Sequence, residues 1–160
     1  MKVHLGGSRS VLEGYANVDK YLAFRKEVIQ DDAFDFMKRQ GDGTVEHVVS
    51  RHMIEHLPRT RAIGLVQQCF RAMMRGAEIF IECPNIRYAM QQYLDCEDSR
   101  LLNSIFGIQR HGGDYHLWGY TPESLTALLE GAGFKVIYVG PDGAMQRKPE
   151  AGIQIRAVKP

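Results

Sequence analysis

The stretch MKVHLGGSRSVLEGYANVD, residues 1–19, decides the fold that this chain is expected to adopt. A short apolar run at residues 3–5 turns sharply on Gly-Gly-Ser at residues 6–8, and a second short run ends at Asp19. Glycines and small hydroxyl residues after a strand leave backbone N–H groups unobstructed, which suits an anionic or polar ligand group. A carboxylate at the end of the neighbouring strand can accept hydrogen bonds from the hydroxyls of a ribose. The stretch therefore predicts half of a nucleoside-binding crevice.

The composition indicates one soluble, cytoplasmic domain over residues 1–160. A chain of this length can bury about two-thirds of its unfolded surface in a single core. Twenty Lys and Arg against nineteen Asp and Glu give a net charge of +1, so no basic patch for sequence-independent nucleic-acid binding is expected. The apolar runs are shorter than the about 20 residues that cross a bilayer. Three widely spaced cysteines indicate neither a disulfide framework nor a thiolate zinc site.

The order of apolar runs and helical patterns predicts an α/β fold. Strands are predicted for the runs ending at Leu5 and Asp19 and for residues 28–29, 45–50, 77–83, 135–139 and 153–158. Apolar residues spaced by three and four predict a helix over residues 55–75 with Gly76 as its cap, and Thr121 followed by a proline predicts the start of another. Because the first five strands alternate with crossovers and the last two are adjacent, we expect a seven-stranded, mostly parallel sheet. Its last strand should be antiparallel, with helices on both faces.

Several polar residues follow predicted strands and should therefore meet at one edge of the sheet. In such sheets ligands bind outside the carboxyl ends of the strands, beside the first strand. Gly6, Asp19, Asp31 and residues 50–52 occupy these positions. The segment GIQRHGGDYHLWGY, residues 107–120, lacks both the helical and the strand period and is rich in glycine, histidine and aromatic residues. It is therefore interpreted as a functional loop over the crevice.

These motifs resemble a class I S-adenosylmethionine-dependent methyltransferase, and in particular its compact, type 11-like subgroup. VHLGGS and GYANVD are similar to the glycine motif and the ribose acid of the family, and IQDD to the acidic end of its third strand. The resemblance extends over nearly the whole chain through HVVSRHMIEHLP, MMRGAEIFIECPN, FGIQRHGGDYHLWGYTPESL, TPESLTALLEGAGFKVIYV and IQIRAVKP. It implies a Rossmann-like methyltransferase fold, S-adenosylmethionine as cofactor, and methyl transfer to a small-molecule or saccharide-like acceptor.

The resemblance also implies how the crevice would hold its cofactor. The implied contacts are Gly6, Gly7 and Ser8 at the methionine part, Asp19 at the ribose, Asp31 or Asp32 with Ala33 at the adenine, and Ser50, Arg51 and His52 beneath the sulfonium. His4 stands where many members have an acid, Ser8 and Ser10 replace two glycines, and the N-terminal helix that often covers the site is not expected. These departures leave open a non-catalytic binding or regulatory module, whose crevice mouth a partner or a second copy of the chain would cover.

The candidate catalytic residues are His116 and Asp114. Methyl transfer needs in-line placement of the nucleophile and, if the nucleophile carries a proton, a base. Asp114 lies two positions before His116 and could orient its imidazole and raise its basicity. The alternative is that both side chains bond the loop backbone and hold the loop closed.

Two residue sets raise the question of a metal site. His52, Glu55 and His56 fit H-x-x-E-H, a zinc-peptidase pattern that would make the chain a zinc hydrolase. The pattern lies at the exit of a predicted parallel strand, and the family resemblance accounts for Glu55 and His56 as helix-capping residues without a metal. The second set, His111 and the candidate catalytic pair, lacks an evident fourth ligand. The sequence therefore predicts no metal.

Overall fold

The computed structural model describes residues 1–7, 10–21, 25–141 and 151–160 of the chain. Its strands form one sheet in the order β3-β2-β1-β4-β5-β7-β6. The strands are β1 (Lys2–Leu5), β2 (Tyr15–Asp19), β3 (Val28–Gln30), β4 (Val45–Arg51), β5 (Met73–Pro84), β6 (Lys135–Pro141) and β7 (Gly152–Val158). β7 is antiparallel to both of its neighbours, and every other pairing is parallel. The predicted α/β class and the seven-stranded mixed sheet are confirmed.

The helices include the one predicted to start after Thr121. They are α1 (Ala33–Arg39), α2 (Arg59–Ala72), α3 (Ile86–Cys96), α4 (Leu102–Phe106) and α5 (Pro122–Gly131), with short 3₁₀ helices at Ile54–His56 and Ser99–Leu101. Asp32 accepts hydrogen bonds from two backbone N–H groups at the start of α1, and Thr121 forms a capping box with Ser124 at the start of α5. No helix in the described part of the chain is long and apolar enough to cross a membrane.

The helix predicted over residues 55–75 is shorter than the apolar pattern suggests. Pro58 precedes α2, and the residues before it form a 3₁₀ turn, so the helix begins only at Arg59. At its other end Met73 already pairs with Val45 of β4, which makes the residues from Met73 onward part of β5. Gly76 is therefore a strand residue, and its predicted role as helix cap is wrong. The apolar spacing alone does not reveal this change, because Met73 is apolar and its burial in β5 fits the same pattern as the buried face of a helix.

One face of the sheet carries the main core. Val3 and Val48 lie side by side in the register, followed by Ile79 and Ala157, and all four are at most 1% exposed. The apolar sides of α1, α2 and α5 pack against this face. Full burial of one such aliphatic side chain stabilises the fold by about 1.5–3 kcal/mol. This row therefore fixes the sheet against its helices and positions the strand ends that form the site.

The opposite face of the sheet is largely polar. The next row of the register contains His4, Val49, Phe80 and Arg156, which lie outside the main core cluster. Leu12 and Glu13, which belong to the connection from β1 to β2, lie beside this face. Helices were predicted on both faces of the sheet. Within the residues that the structure describes, they pack against the core face. Most of the hairpin predicted between β6 and β7, at residues 142–150, lies outside those residues.

Candidate functional site

A cavity of about 1020 Å³ opens at the carboxyl ends of the parallel strands. Of the expected cofactor contacts, those that line it are Gly6, Asp19, Asp31, Asp32, Ala33, Arg51 and His52. His116 and Asp114 line the same cavity from the loop between α4 and α5. Gly7 and Ser50 are not among the lining residues, and Ser8 lies outside the described residues. Most of the expected residues therefore line one crevice at the carboxyl ends of the strands, as predicted from their positions after the strands.

The backbone N–H groups of the glycine turn after β1 are hydrogen-bonded within the protein. The N–H groups of Gly6 and Gly7 both donate to the carbonyl oxygen of Val18, at 2.8 and 3.2 Å. The expectation that these two N–H groups point outward to a ligand is therefore wrong. A Cβ on Gly6 would lie 2.7 Å from the Cβ of Met53, and the φ of Gly6 is +77°. Glycine is needed here because the turn packs closely against the start of the segment after β4.

His4 does not take the place of a cofactor-orienting acid. Its side chain is completely buried, and its Nδ1 lies 3.1 Å from Oδ1 of Asn17. Burial lowers the pKa of His4 below its ordinary value, which favours the neutral imidazole. Since His4 does not line the cavity, it serves the packing of β1 against β2.

Three acids border the cavity beyond β2 and β3, and each is engaged locally. Oδ1 of Asp19 accepts a hydrogen bond from the N–H of Tyr21 at 2.9 Å, and Asp31 pairs with Arg39. Asp32 caps α1 and accepts a hydrogen bond from Arg61 at 2.9 Å. Burial raises the pKa of Asp32, but the hydrogen bonds from Arg61 and from the backbone outweigh it and lower the pKa below its ordinary value. This side of the crevice therefore presents fixed carboxylates.

His52 lies between two buried acids on the cavity floor. Its Nδ1 is 3.6 Å from Glu55, and its Nε2 is 3.2 Å from Glu82, which also accepts a hydrogen bond from Gln154 at 3.0 Å. Interaction with the carboxylate of Glu55, and then with that of Glu82, raises the pKa of His52 to about 10, against the opposing effect of burial. His52 is accordingly a cation at neutral pH. It is a fixed positive charge between two carboxylates.

The H-x-x-E-H pattern does not form a zinc-peptidase helix. His52 has a φ of +46° and precedes the 3₁₀ helix that contains Glu55 and His56. The two histidines of the pattern therefore do not share one helical face. Because both ring nitrogens of His52 are paired with acids, this imidazole is also unsuited to coordinate a cation.

The loop at residues 107–120 is tied to the cavity floor through its backbone. The N–H groups of Leu117 and Trp118 both donate to the carbonyl oxygen of Glu55, at 2.8 and 3.2 Å. Gly107 turns the chain with a φ of +81°, and a Cβ there would lie only 2.1 Å from the carbonyl oxygen of Asp114. Only glycine fits this approach, so the loop folds back on itself and presents His116 to the residues after β4.

The expected pairing of Asp114 with His116 is wrong. Arg110 holds both carboxylate oxygens of Asp114, through Nε at 2.7 Å and Nη2 at 3.1 Å. This hydrogen-bonded ion pair lowers the pKa of Asp114 well below its ordinary range. Nδ1 of His116 lies 3.0 Å from the carbonyl oxygen of Ser104 instead. Asp114 thus closes the loop, and a backbone carbonyl orients the histidine.

His116 belongs to a cluster with two residues that follow β4. Its ring stands edge-on to that of His56, with the ring centroids 4.9 Å apart. One side-chain ligand atom from each of Glu55, His56 and His116 lies within 4.8 Å of the other two. Burial lowers the pKa of His116, so its imidazole is neutral at physiological pH. The loop and the β4 exit therefore meet in one polar cluster on the cavity wall.

Two functional candidates were missing from the sequence-based set. Glu82 is 6% exposed and pairs with His52, and Arg110 fixes Asp114 while lining the cavity. A signal for Glu82 was present, since it interrupts the apolar strand AEIFIEC and a buried acid needs a partner. Arg110 carried no comparable signal because a loop arginine is ordinarily solvated.

Solved structures of S-adenosylmethionine-dependent methyltransferases share this fold. An Archaeoglobus fulgidus enzyme of this type superposes with a TM-score of 0.66 at 18% identity, over 99% of this chain and 85% of the other. A Methanosarcina mazei methyltransferase gives 0.68 at 14% identity, over 99% and 91%. Phosphoethanolamine N-methyltransferase 2 of Haemonchus contortus, in complex with S-adenosyl-L-methionine, gives 0.60 at 14% identity, over 99% and 48%.

No protein-family model matches the chain, and no curated protein sequence matches it. The likeness is therefore one of structure at low sequence identity. It establishes that the chain has the Rossmann-like fold of class I S-adenosylmethionine-dependent methyltransferases, with the sheet order β3-β2-β1-β4-β5-β7-β6.

Proposed function

We propose that this chain is an S-adenosylmethionine-dependent methyltransferase that acts on a small-molecule or saccharide-like acceptor. One observation carries the proposal: the cavity at the strand ends is lined both by Asp19, the expected ribose acid, and by the neutral His116 of the loop. Ligands of open α/β sheets bind at this edge. The fold alone does not decide the activity, because one fold supports many functions, whereas these two residues are specific to the site.

The cavity residues fit the proposed cofactor. The cavity is large enough at about 1020 Å³, and Asp19 is positioned at the end of β2 to accept hydrogen bonds from ribose hydroxyls. Asp31 and Asp32 border the adjoining side for the adenine. When bound, S-adenosylmethionine supplies an electrophilic methyl group. Arg51 and the cationic His52 also line this cavity, and the charge of His52 is offset by Glu55 and Glu82, which flank it near the expected position of the sulfonium.

His116 is the candidate base for an acceptor that carries a proton. Its Nδ1 faces the carbonyl oxygen of Ser104, and a carbonyl can only accept, so Nδ1 carries the ring proton. The lone pair of the neutral ring is therefore on Nε2. This nitrogen would accept the proton that the acceptor loses when it is methylated.

The second candidate function is a non-catalytic binding module. It is favoured by the Gly6 and Gly7 N–H groups, which donate to Val18, and by His4, which is buried against Asn17 and offers the cavity no cofactor-orienting acid. Such a module would retain the crevice without turnover. A second copy of the chain or a partner protein would then cover the crevice mouth.

Calorimetry with S-adenosylhomocysteine tests the proposed cofactor. We expect Asp19→Ala to weaken binding by about 1–3 kcal/mol, since a hydrogen-bonded charged acceptor is lost. Asp19→Asn keeps an oxygen for the Tyr21 N–H and separates local structure from ligand binding. Asp95→Ala, on exposed α3, is the control. Absence of heat at millimolar ligand with folded protein would defeat cofactor binding, and binding without turnover in a mixed acceptor pool would favour the module.

A further inference from the structure

We propose that Glu55, His56 and His116 form a binding site for one divalent transition-metal ion in the wall of the cavity. Their three ligand atoms lie within 4.8 Å of one another, and the residues come from two segments about 60 positions apart in the chain. Two imidazoles and one carboxylate that leave further positions open are a common ligand set for zinc or non-haem iron. The site shares His116 with the proposed methyl transfer. Because a bound ion would occupy the lone pair on Nε2, the metal-ligand role and the base role of His116 are alternatives.

Both histidines are held in the tautomer that a metal ion requires. Nδ1 of His56 lies 3.0 Å from the carbonyl oxygen of Tyr115, and Nδ1 of His116 lies 3.0 Å from that of Ser104. Because carbonyl oxygens only accept hydrogen bonds, each Nδ1 is the donor and each neutral ring has its lone pair on Nε2. Metal-bound histidines almost always donate their other N–H in this way, which fixes the orientation of the ring.

Glu55 supplies the negative charge that the site needs. Its side chain is 3% exposed, and within the described residues neither carboxylate oxygen receives a hydrogen bond. His52 is its nearest cation at 3.6 Å, but that imidazole is closer to Glu82, at 3.2 Å. A buried carboxylate without hydrogen bonds is costly. A cation between Glu55 and the two imidazoles would relieve this cost.

The backbone holds the three ligands together before any ion binds. The Leu117 and Trp118 N–H groups donate to the carbonyl oxygen of Glu55, so the residue after His116 is fixed to the residue before His56. A zinc ion keeps its ligands at about 2.0–2.2 Å, so side-chain rotations that move the three atoms by about 1 Å would complete the coordination. All three residues line the cavity, which leaves the remaining positions open to water or to a polar group of a bound molecule.

Zn²⁺ titration of the chelator-treated protein tests the site, in the absence of cofactor and acceptor. Calorimetry should show one equivalent per chain, and Co²⁺ in its place should give visible absorption bands. His56→Gln and His116→Gln should each weaken Zn²⁺ binding by more than the about 10–100-fold that loss of an outer-shell partner costs. Glu55→Gln preserves the shape of the buried side chain and should weaken binding similarly.

His111→Gln is the matched control, because His111 lies in the same loop and lines the same cavity but is not among the three proposed ligands. It should leave Zn²⁺ affinity unchanged. The proposal is overturned if the wild-type protein binds no stoichiometric Zn²⁺, or if His56→Gln and His116→Gln, shown to be folded by circular dichroism, bind it as tightly as the wild type. Since binding of S-adenosylhomocysteine is measured separately on metal-free protein, failure of the metal site and failure of the methyltransferase proposal are distinguishable.

Discussion

Glu82→Gln should lower the pKa of His52 and remove part of the pH dependence of folding stability. Glu82 lies 3.2 Å from Nε2 of His52, and its substitution removes one of the two buried carboxylates that hold the imidazole as a cation. Glutamine keeps an oxygen for the hydrogen bond from Gln154 and nearly preserves the side-chain volume. The substitution therefore changes mainly the charge. Glu55 remains, so the pKa of His52 should fall only part of the way from about 10 toward its ordinary value of 6.5.

The sign of the stability effect follows from the raised pKa. A folded-state pKa above the unfolded value stabilises the folded protein fully below pH 6.5, and this contribution is lost as the pH rises toward about 10. For an enclosed group a shift of this size would correspond to about 5 kcal/mol. The His52 side chain is 42% exposed, so solvent screening reduces the contribution to about 1–2 kcal/mol. Glu82→Gln should remove about half of that amount.

Urea unfolding at pH 6 and pH 9.5 measures this difference, and NMR titration of the histidine ring protons gives the pKa directly. Metal-free buffer is used throughout so that no ion competes for Glu55. Glu123→Gln is the control, because Glu123 is an exposed carboxylate that pairs with Arg87 and with no histidine. The prediction is refuted if His52 of the wild type titrates near 6.5, or if Glu82→Gln and Glu123→Gln change the pH dependence of unfolding equally.

Two further substitutions test the loop and the last helix. Asp114→Asn should loosen the loop, because it breaks the ion pair with Arg110. Amide hydrogen exchange over residues 107–120 should then become faster. Unchanged exchange would show that the backbone hydrogen bonds to Glu55 are enough to hold the loop in place. Thr121→Ala should lower the free energy of unfolding by about 0.5–2 kcal/mol through loss of the capping box of α5, as measured in urea, whereas Thr126→Ala on the same helix should cost less.

Local patterns in the sequence predicted most of the fold. The alternation of apolar runs with helices, and the adjacent last two strands, indicated the mixed seven-stranded sheet that the structure contains. Asp32 and Thr121 were predictable as helix caps because capping depends on side chains within three residues. The boundary between α2 and β5 was not predictable, since a buried apolar residue such as Met73 fits both patterns and only its pairing with Val45 assigns it to the strand.

The location of the candidate site was predictable from the sequence, whereas the contacts that its residues make were less predictable. The sequence by itself determined that Gly6, Asp19 and His52 should gather at one edge, since each follows a strand of a parallel sheet. Only the tertiary structure decided the partners. In the structure the N–H groups of the glycine turn donate to the carbonyl oxygen of Val18, and Asp114 pairs with Arg110.

The same distinction applies to the proposed metal ligands. In the sequence, Glu55 and His56 belong to the H-x-x-E-H pattern, whereas His116 belongs to the loop at residues 107–120. Neither segment alone contains all three ligands. Their meeting depends on backbone hydrogen bonds between the loop and the β4 exit, across about 60 residues of chain. Sequence spacing predicts which residues share an element because that geometry is local, whereas contacts between elements depend on how the whole core packs.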